Sequence, residues 1–191
     1  MATVSTRLVT ADEFFDFVNR PENRDRIFEL EAGEIVEMSR PGERHGVVCG
    51  NLAFIFGLYL RQTKKGRVLA NDAGLLLDRD PDTVRGPDLS IYTDAKKYAD
   101  LAPKWIEELP TLVIEVRSPN DIESRMIRRL NRFLDRGAKV VANVDPEARS
   151  VTVWWEGHAP IVFEDGEDLA NLPGLPEFRC KVAEIFDLPG A

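Results

Sequence analysis

The sequence predicts a mixed α/β, or α+β, domain organised around one central sheet. Three observations carry that prediction. Short β-type runs and amphipathic helical runs are interspersed along the chain without strict βα alternation. Hydrophobic residues make up 43% and charged residues 30% of the chain, the balance of a globular protein with a packed core. Its 191 residues suffice for one sizeable core and are too few for two ordinary domains, so residues 1–191 read as a single unit.

Each element follows from its residues. Thr10, with Glu13 three positions later, is a capping box at the head of the helical run 10–18. "RIFELEAGEIVEM" at 26–38 alternates on both sides of Ala32-Gly33, the pattern of a β-hairpin in which Glu29 points away from Phe28 and Leu30. In the stretch 42–66, Val48, Leu52, Ile55, Phe56 and Tyr59 recur at helical spacing and Gly66 supplies the stop. Gly50 and Gly57 inside that helix mark close packing against a neighbour.

"RVLAN" and "GLLLD" read as short strands, and 79–87 as a loop. "DLSIY" at 88–92 and "TLVIEVR" at 111–117 are further strands, separated by a partly helical segment ending at Pro110. Residues 121–137 form an amphipathic helix, with Ile122, Met126, Leu130, Phe133 and Leu134 on one face. "KVVANVD" and "SVTVWWEG" are strands, "PIVFEDGE" is an edge hairpin arm, and 181–187 is a final short helix.

Composition excludes several functions. The longest apolar stretch, "LAFIFGLYL", is about half the length of a membrane span. The first ten residues lack the apolar core of a secretory signal, which predicts a cytoplasmic protein. Cys49 and Cys180 have no metal-ligand spacing and read as free thiols. A net charge of −8 counts against non-specific coating of nucleic acid, although a local basic groove remains compatible with it. Arginines at 117, 125, 128, 129, 132 and 136 crowd into twenty residues, which reads first as a solvated helix face, with Arg125 and Arg129 as the candidates to meet phosphates.

The chemistry centres on Glu115, set inside the apolar run "TLVIEVRSPN". Strand periodicity puts Val113, Glu115 and Arg117 on one face, so the strand turns polar on one side at its end. Asp88 follows Pro87 at the head of another strand. Two carboxylates at the mouths of adjacent strands are how a hard divalent cation is held, with water and phosphate oxygens filling its remaining positions.

"GPDLSIY" followed by "LVIEVRSP" and an amphipathic helix resembles the core of the PD-(D/E)xK nucleases. More narrowly, the chain resembles the Uma2 family of restriction-endonuclease-like proteins. The likeness includes "FELEAGEIVEMS", "RHGVVCGNLAFIFGLYLR", "GRVLANDAGLLLD", "VVANVDPEARSVTVW" and "LPGLPEFRCKVAEIF". That resemblance implies a restriction-endonuclease-like central mixed sheet flanked by helices, with Asp88 and Glu115 as ligands of Mg2+ or Mn2+. It implies that Glu29 joins the same site as a further acidic ligand, and that His45 and Asp72 lie near the cleft. The implied activity is endonucleolytic hydrolysis of DNA.

One departure stands out. The lysine that this family carries in the helix after the glutamate strand is replaced by Arg129, four residues before Phe133, and Arg117 occupies the alternative position two residues after Glu115. Arginine offers permanent charge and a fork for phosphate oxygens but cannot take a proton at neutral pH. Arg129 lies on the flank of the apolar stripe, whereas Arg128, Arg132 and Arg136 read as surface.

The alternative reading is a nuclease-like fold retained as a nucleic-acid or protein-interaction module with weak or no chemistry. A small-molecule hydrolase using Glu29 and His45 lacks a nucleophile motif. Trp154 and Trp155 fall on opposite faces of one strand, so on a one-sided sheet one of them is left for a homodimer contact.

Overall fold

The alternating segments pair into two principal sheets, and the amphipathic helices cover them. The computed structural model describes residues 7–119, 121–188 and 190. Helix α1 (Ala11–Val18) begins at Thr10, whose hydroxyl accepts from the Glu13 N–H while the Glu13 carboxylate accepts from the Thr10 N–H. The predicted capping box is therefore present. Strands β1 (Ile27–Glu31) and β2 (Glu34–Met38) form the predicted hairpin, with Ala32 and Gly33 both at positive φ in the turn. Its register sets Glu29 opposite Val36 and Ile27 opposite Met38.

Helix α2 (Glu43–Thr63) buries Val48, Leu52, Phe56 and Leu60, one residue per turn along a single stripe. Lys64 adopts the left-handed conformation that ends it. Gly66 follows at φ +104, where a Cβ would lie 2.2 Å from the Tyr92 carbonyl oxygen. Only glycine fits there.

The chain continues through β3 (Arg67–Ala70), β4 (Leu75–Asp78), β5 (Thr83–Arg85), β6 (Leu89–Tyr92) and β7 (Leu112–Val116). Helix α3 (Glu123–Asp135) then leads to β8 (Val140–Asp145), β9 (Ser150–Trp154), β10 (Ile161–Glu164), β11 (Asp168–Ala170), β12 (Arg179–Lys181) and α4 (Ala183–Phe186). The six-stranded sheet runs β10-β9-β8-β7-β6-β3 and is antiparallel except for β7 and β8, which α3 connects in parallel. A four-stranded antiparallel sheet has the order β2-β1-β5-β4, and β11 pairs with β12.

Both faces of the larger sheet are covered. Leu112, Ile114 and Val116 pack in the core shared with α2 and α4, while Val113 and Val141 pack with Leu130 and Phe133 of α3 and Leu75 and Leu77 of β4. Full burial of side chains such as Leu130 and Phe133 is worth roughly 1.5–3 kcal/mol each. A third core joins Ala11 and Phe14 of α1 to Leu30, Leu76 and Val84 of the smaller sheet.

Several expectations change. Residues 79–87, read as a loop, contain β5, which is fully buried between β1 and β4. Its three residues are too short a run for periodicity to register. The segment before Pro110 holds the 3-10 turn Tyr98–Asp100 and a bridge from Ile106 to Leu75 in place of a longer helix, and β11 and β12 are strands that no pattern in the sequence marks. A Cβ at Gly50 or Gly57 would meet nothing within 4 Å, so these glycines do not serve close packing. Trp154 and Trp155 are both half-buried, packed against the cores on opposite faces of the sheet. The sheet is thus covered on both faces, and the one-sided sheet that would leave one tryptophan over is not the one formed.

Candidate active-site cleft

Strand polarity and one proline-glycine junction bring the acidic side chains together. Glu115 sits near the end of β7 on the face covered by α3, where the apolar layer gives out. Asp88 precedes β6, the antiparallel neighbour of β7, and its Oδ2 accepts from the Val116 N–H at 2.7 Å. Glu29 arrives from β1 in the other sheet, and Gly86 joins the two sheets between β5 and β6. A Cβ at Gly86 would lie 2.7 Å from the Asp72 carbonyl oxygen, so a side chain there would displace the turn between β3 and β4.

Arg129, from the middle of α3, ties the cluster. Its Nε donates to Glu115 Oε1 at 2.8 Å, its Nη1 and Nη2 to the two oxygens of Glu29 at 2.8 Å each, and Nη2 also to the Gly86 carbonyl at 3.2 Å. Glu29 further accepts from Arg85 Nη1 at 2.7 Å and from the Gly86 N–H at 2.9 Å. Both Glu29 oxygens are thus fully engaged, whereas Glu115 Oε2 accepts no hydrogen bond among the described residues and Asp88 Oδ1 meets only the His45 imidazole.

His45, in the first turn of α2, stands 3.2 Å from Asp88 Oδ1 through Nε2, and its Nδ1 lies 3.5 Å from Cys49 Sγ. One ligand atom each from His45, Cys49 and Asp88 lie within 4.8 Å of one another. Cys49, one turn after His45 on the same helix, is a neighbour that sequence spacing alone leaves unconnected to Asp88.

The electrostatics follow from this packing. Burial, with Asp88 and Glu29 nearby, pushes the Glu115 carboxyl up to about 7 against the pull of Arg129. Glu29 is also desolvated, yet Arg129 and Arg85 outweigh that and hold its carboxyl below the usual range. The hydrogen bond to Asp88, reinforced by Cys49, lifts the His45 imidazole to about 10. Burial raises Asp72, with Asp88 and Glu29 adding to the effect. Despite its own desolvation, Arg129 is held protonated by Glu115 and Glu29.

These residues floor an open cleft of about 850 Å³. Seven arginines and six carboxylates line it, a slightly basic balance within a chain of net charge −8. Glu29, Asp88, Glu115, Arg129, His45 and Asp72 all border this one cleft, as does Arg117. Arg117, however, turns to Asp145 at 2.7 Å and stands at the rim. Arg132 and Arg136 are not free surface arginines, since both pair with Asp78 of β4, whose side chain is almost wholly buried. That contact joins elements far apart in sequence, so helix periodicity could not reveal it.

Asn143 is a further cleft residue that the sequence reading missed. It lies on β8 directly beside Glu115 in the parallel register and is 6% exposed, and its Oδ1 has no hydrogen-bond partner among the described residues. The signal was one carboxamide in the apolar run "VVANV", next in register to the acidic position of β7.

The fold is shared with a solved structure. A crystal structure described as "a putative nuclease belonging to DUF820 from Anabaena variabilis ATCC 29413" superimposes with a TM-score of 0.77, covering 93% of this chain and 97% of the other at 17% identity. The chain itself belongs to the Uma2 family, described as "putative restriction endonuclease", whose model matches residues 11–183. Among curated proteins none matches this chain. No helix among the described residues is long and apolar enough to cross a membrane.

Proposed function

We propose that this protein is a divalent-cation-dependent endonuclease that hydrolyses phosphodiester bonds of DNA in the cleft. The observation carrying this reading is the pair Asp88 and Glu115. On neighbouring strands, Glu115 keeps Oε2 clear of Arg129 and Asp88 turns Oδ1 to the His45 imidazole alone, while Asn143, next to Glu115 in register, has an Oδ1 unpartnered among the described residues. Oxygen donors of this kind suit Mg2+ or Mn2+. A cation held there would acidify a bound water and offset the charge of an in-line displacement at phosphorus.

The chain's own groups do the rest. Glu29 serves less as a metal ligand than as the anchor of Arg129, because both of its oxygens are taken. Arg129 fixes the orientation of Glu115 and supplies permanent positive charge where the family's lysine stands. It donates four hydrogen bonds within the protein and removes no proton from water. His45 steadies Asp88, while Arg125 and Arg128 stand exposed at the mouth for phosphate oxygens.

A second reading rests on that same arginine. Arg129 and Arg85 together already offset Glu29 and Glu115, which is how a nuclease fold kept purely as a binding module would satisfy its buried acids. Cleavage of plasmid and single-stranded DNA with Mg2+ or Mn2+ separates the two. Metal-dependent cleavage abolished by both Asp88→Ala and Glu115→Ala supports the endonuclease. Folded wild-type protein that cuts nothing with either metal would leave the binding module.

A further inference from the structure

We infer that the nucleic acid entering this cleft is single-stranded, its phosphates on the α3 arginines and an unstacked base against an apolar shelf. The inference rests on the nuclease reading and narrows its substrate class.

The shelf comes from strand register. Residues paired directly across an antiparallel ladder project from the same face, so Val36 stands beside Glu29 and Met38 beside Ile27 on the side of the hairpin that faces the cleft. Val36 is 38% exposed, unusual for an aliphatic side chain next to a buried carboxylate. The facing wall is the start of α3. There Ile122 is 52% exposed, and Met126 follows one turn later on the same side of the helix as Arg129. Aliphatic groups thus flank the carboxylates on both walls.

The same stretch of α3 carries the charge. Arg125 lies one turn before Arg129 and Arg128 is adjacent to it; both are exposed, and among the described residues neither forms an ion pair. The two wall chemistries match two parts of one ligand. Arginines meet the phosphates, whereas Val36, Met38 and Ile122 offer nothing to a phosphate and would be desolvated to no benefit by a duplex, whose bases are stacked inside. A strand with splayed bases presents apolar ring faces that Val36 and Ile122 can cover by van der Waals contact and Met38 through its polarisable sulfur, without regard to sequence.

The test is fluorescence anisotropy of labelled single-stranded and duplex DNA of one sequence, with Ca2+ replacing the catalytic metal. Wild type is expected to bind the single strand at least about tenfold more tightly. Val36→Ser and Ile122→Ser, both at exposed positions and checked for unchanged melting, should lose most of that preference while duplex binding stays constant. Arg125→Gln with Arg128→Gln should weaken both ligands alike and flatten the salt dependence. Duplex binding equal to or tighter than single-strand binding would overturn this inference and leave the nuclease reading standing. Binding to neither form would overturn both, and would direct the shelf to a protein partner.

Discussion

Replacing Arg129 with methionine tests whether the cleft is held by the network described above. Methionine keeps much of the stem that packs on α3 and removes the guanidinium with its four hydrogen bonds. Glu29 and Glu115 are left with side chains only 4% and 13% exposed. Stranding a buried charge by deleting its partner costs about 3–5 kcal/mol. Glu115 escapes part of this because its carboxyl, already raised to about 7, takes up a proton. Glu29 retains Arg85 and the Gly86 N–H. The expected loss is therefore near the low end, about 3 kcal/mol, or roughly 6–12 °C in Tm for a chain of this length.

Urea denaturation and thermal melting at neutral pH, followed by circular dichroism, measure that loss. Arg129→Lys should fall between the two, since one ammonium cannot satisfy both carboxylates. Adding Mg2+ to about a hundred times its Kd should return up to about 2.7 kcal/mol to Arg129→Met, and none when Asp88→Asn is also present. A loss below about 1 kcal/mol would refute the reasoning, because it would mean that the two glutamates are not buried anions dependent on Arg129.

Other outcomes follow from single features. The His45 imidazole is raised to about 10, so its contribution is fully present below its unfolded value near 6.5 and is lost as pH rises through about 10. Metal-free protein should therefore lose stability in urea between pH 6.5 and 10 more steeply than His45→Ala, and parallel slopes would argue against the His45–Asp88 contact. Phe133→Ala, at a wholly buried position on α3, should cost about 3–5 kcal/mol in the same assay. Gly66→Ala should cost about 1–3 kcal/mol, through its positive φ and the clash with the Tyr92 carbonyl.

How much of this was legible in the sequence depended on the range of each interaction. The α1 capping box, the β1–β2 hairpin, the stripe of α2 and the faces of β7 are local patterns, and each appears in the fold. The Asp88 and Glu115 strands were recognisable because a dipeptide and an acidic residue in an apolar run recur in a known order. Strand β5 was missed because three residues carry no period. The Arg132–Asp78 pair and the place of Asn143 depend on which strands become neighbours, and that is decided by tertiary packing. Glu29 was expected at the site, but the saturation of its oxygens by Arg129 and Arg85 is visible only in three dimensions.

The most direct test of the central claim is a titration of Mn2+ into the protein, with free ion followed by electron paramagnetic resonance. The account predicts a bound ion in wild type that Asp88→Asn and Glu115→Gln each abolish. Affinity should rise with pH through about 7 as the Glu115 proton is displaced. Absence of binding, or binding unchanged in both variants, would contradict it and leave Arg129 as the cation of the site.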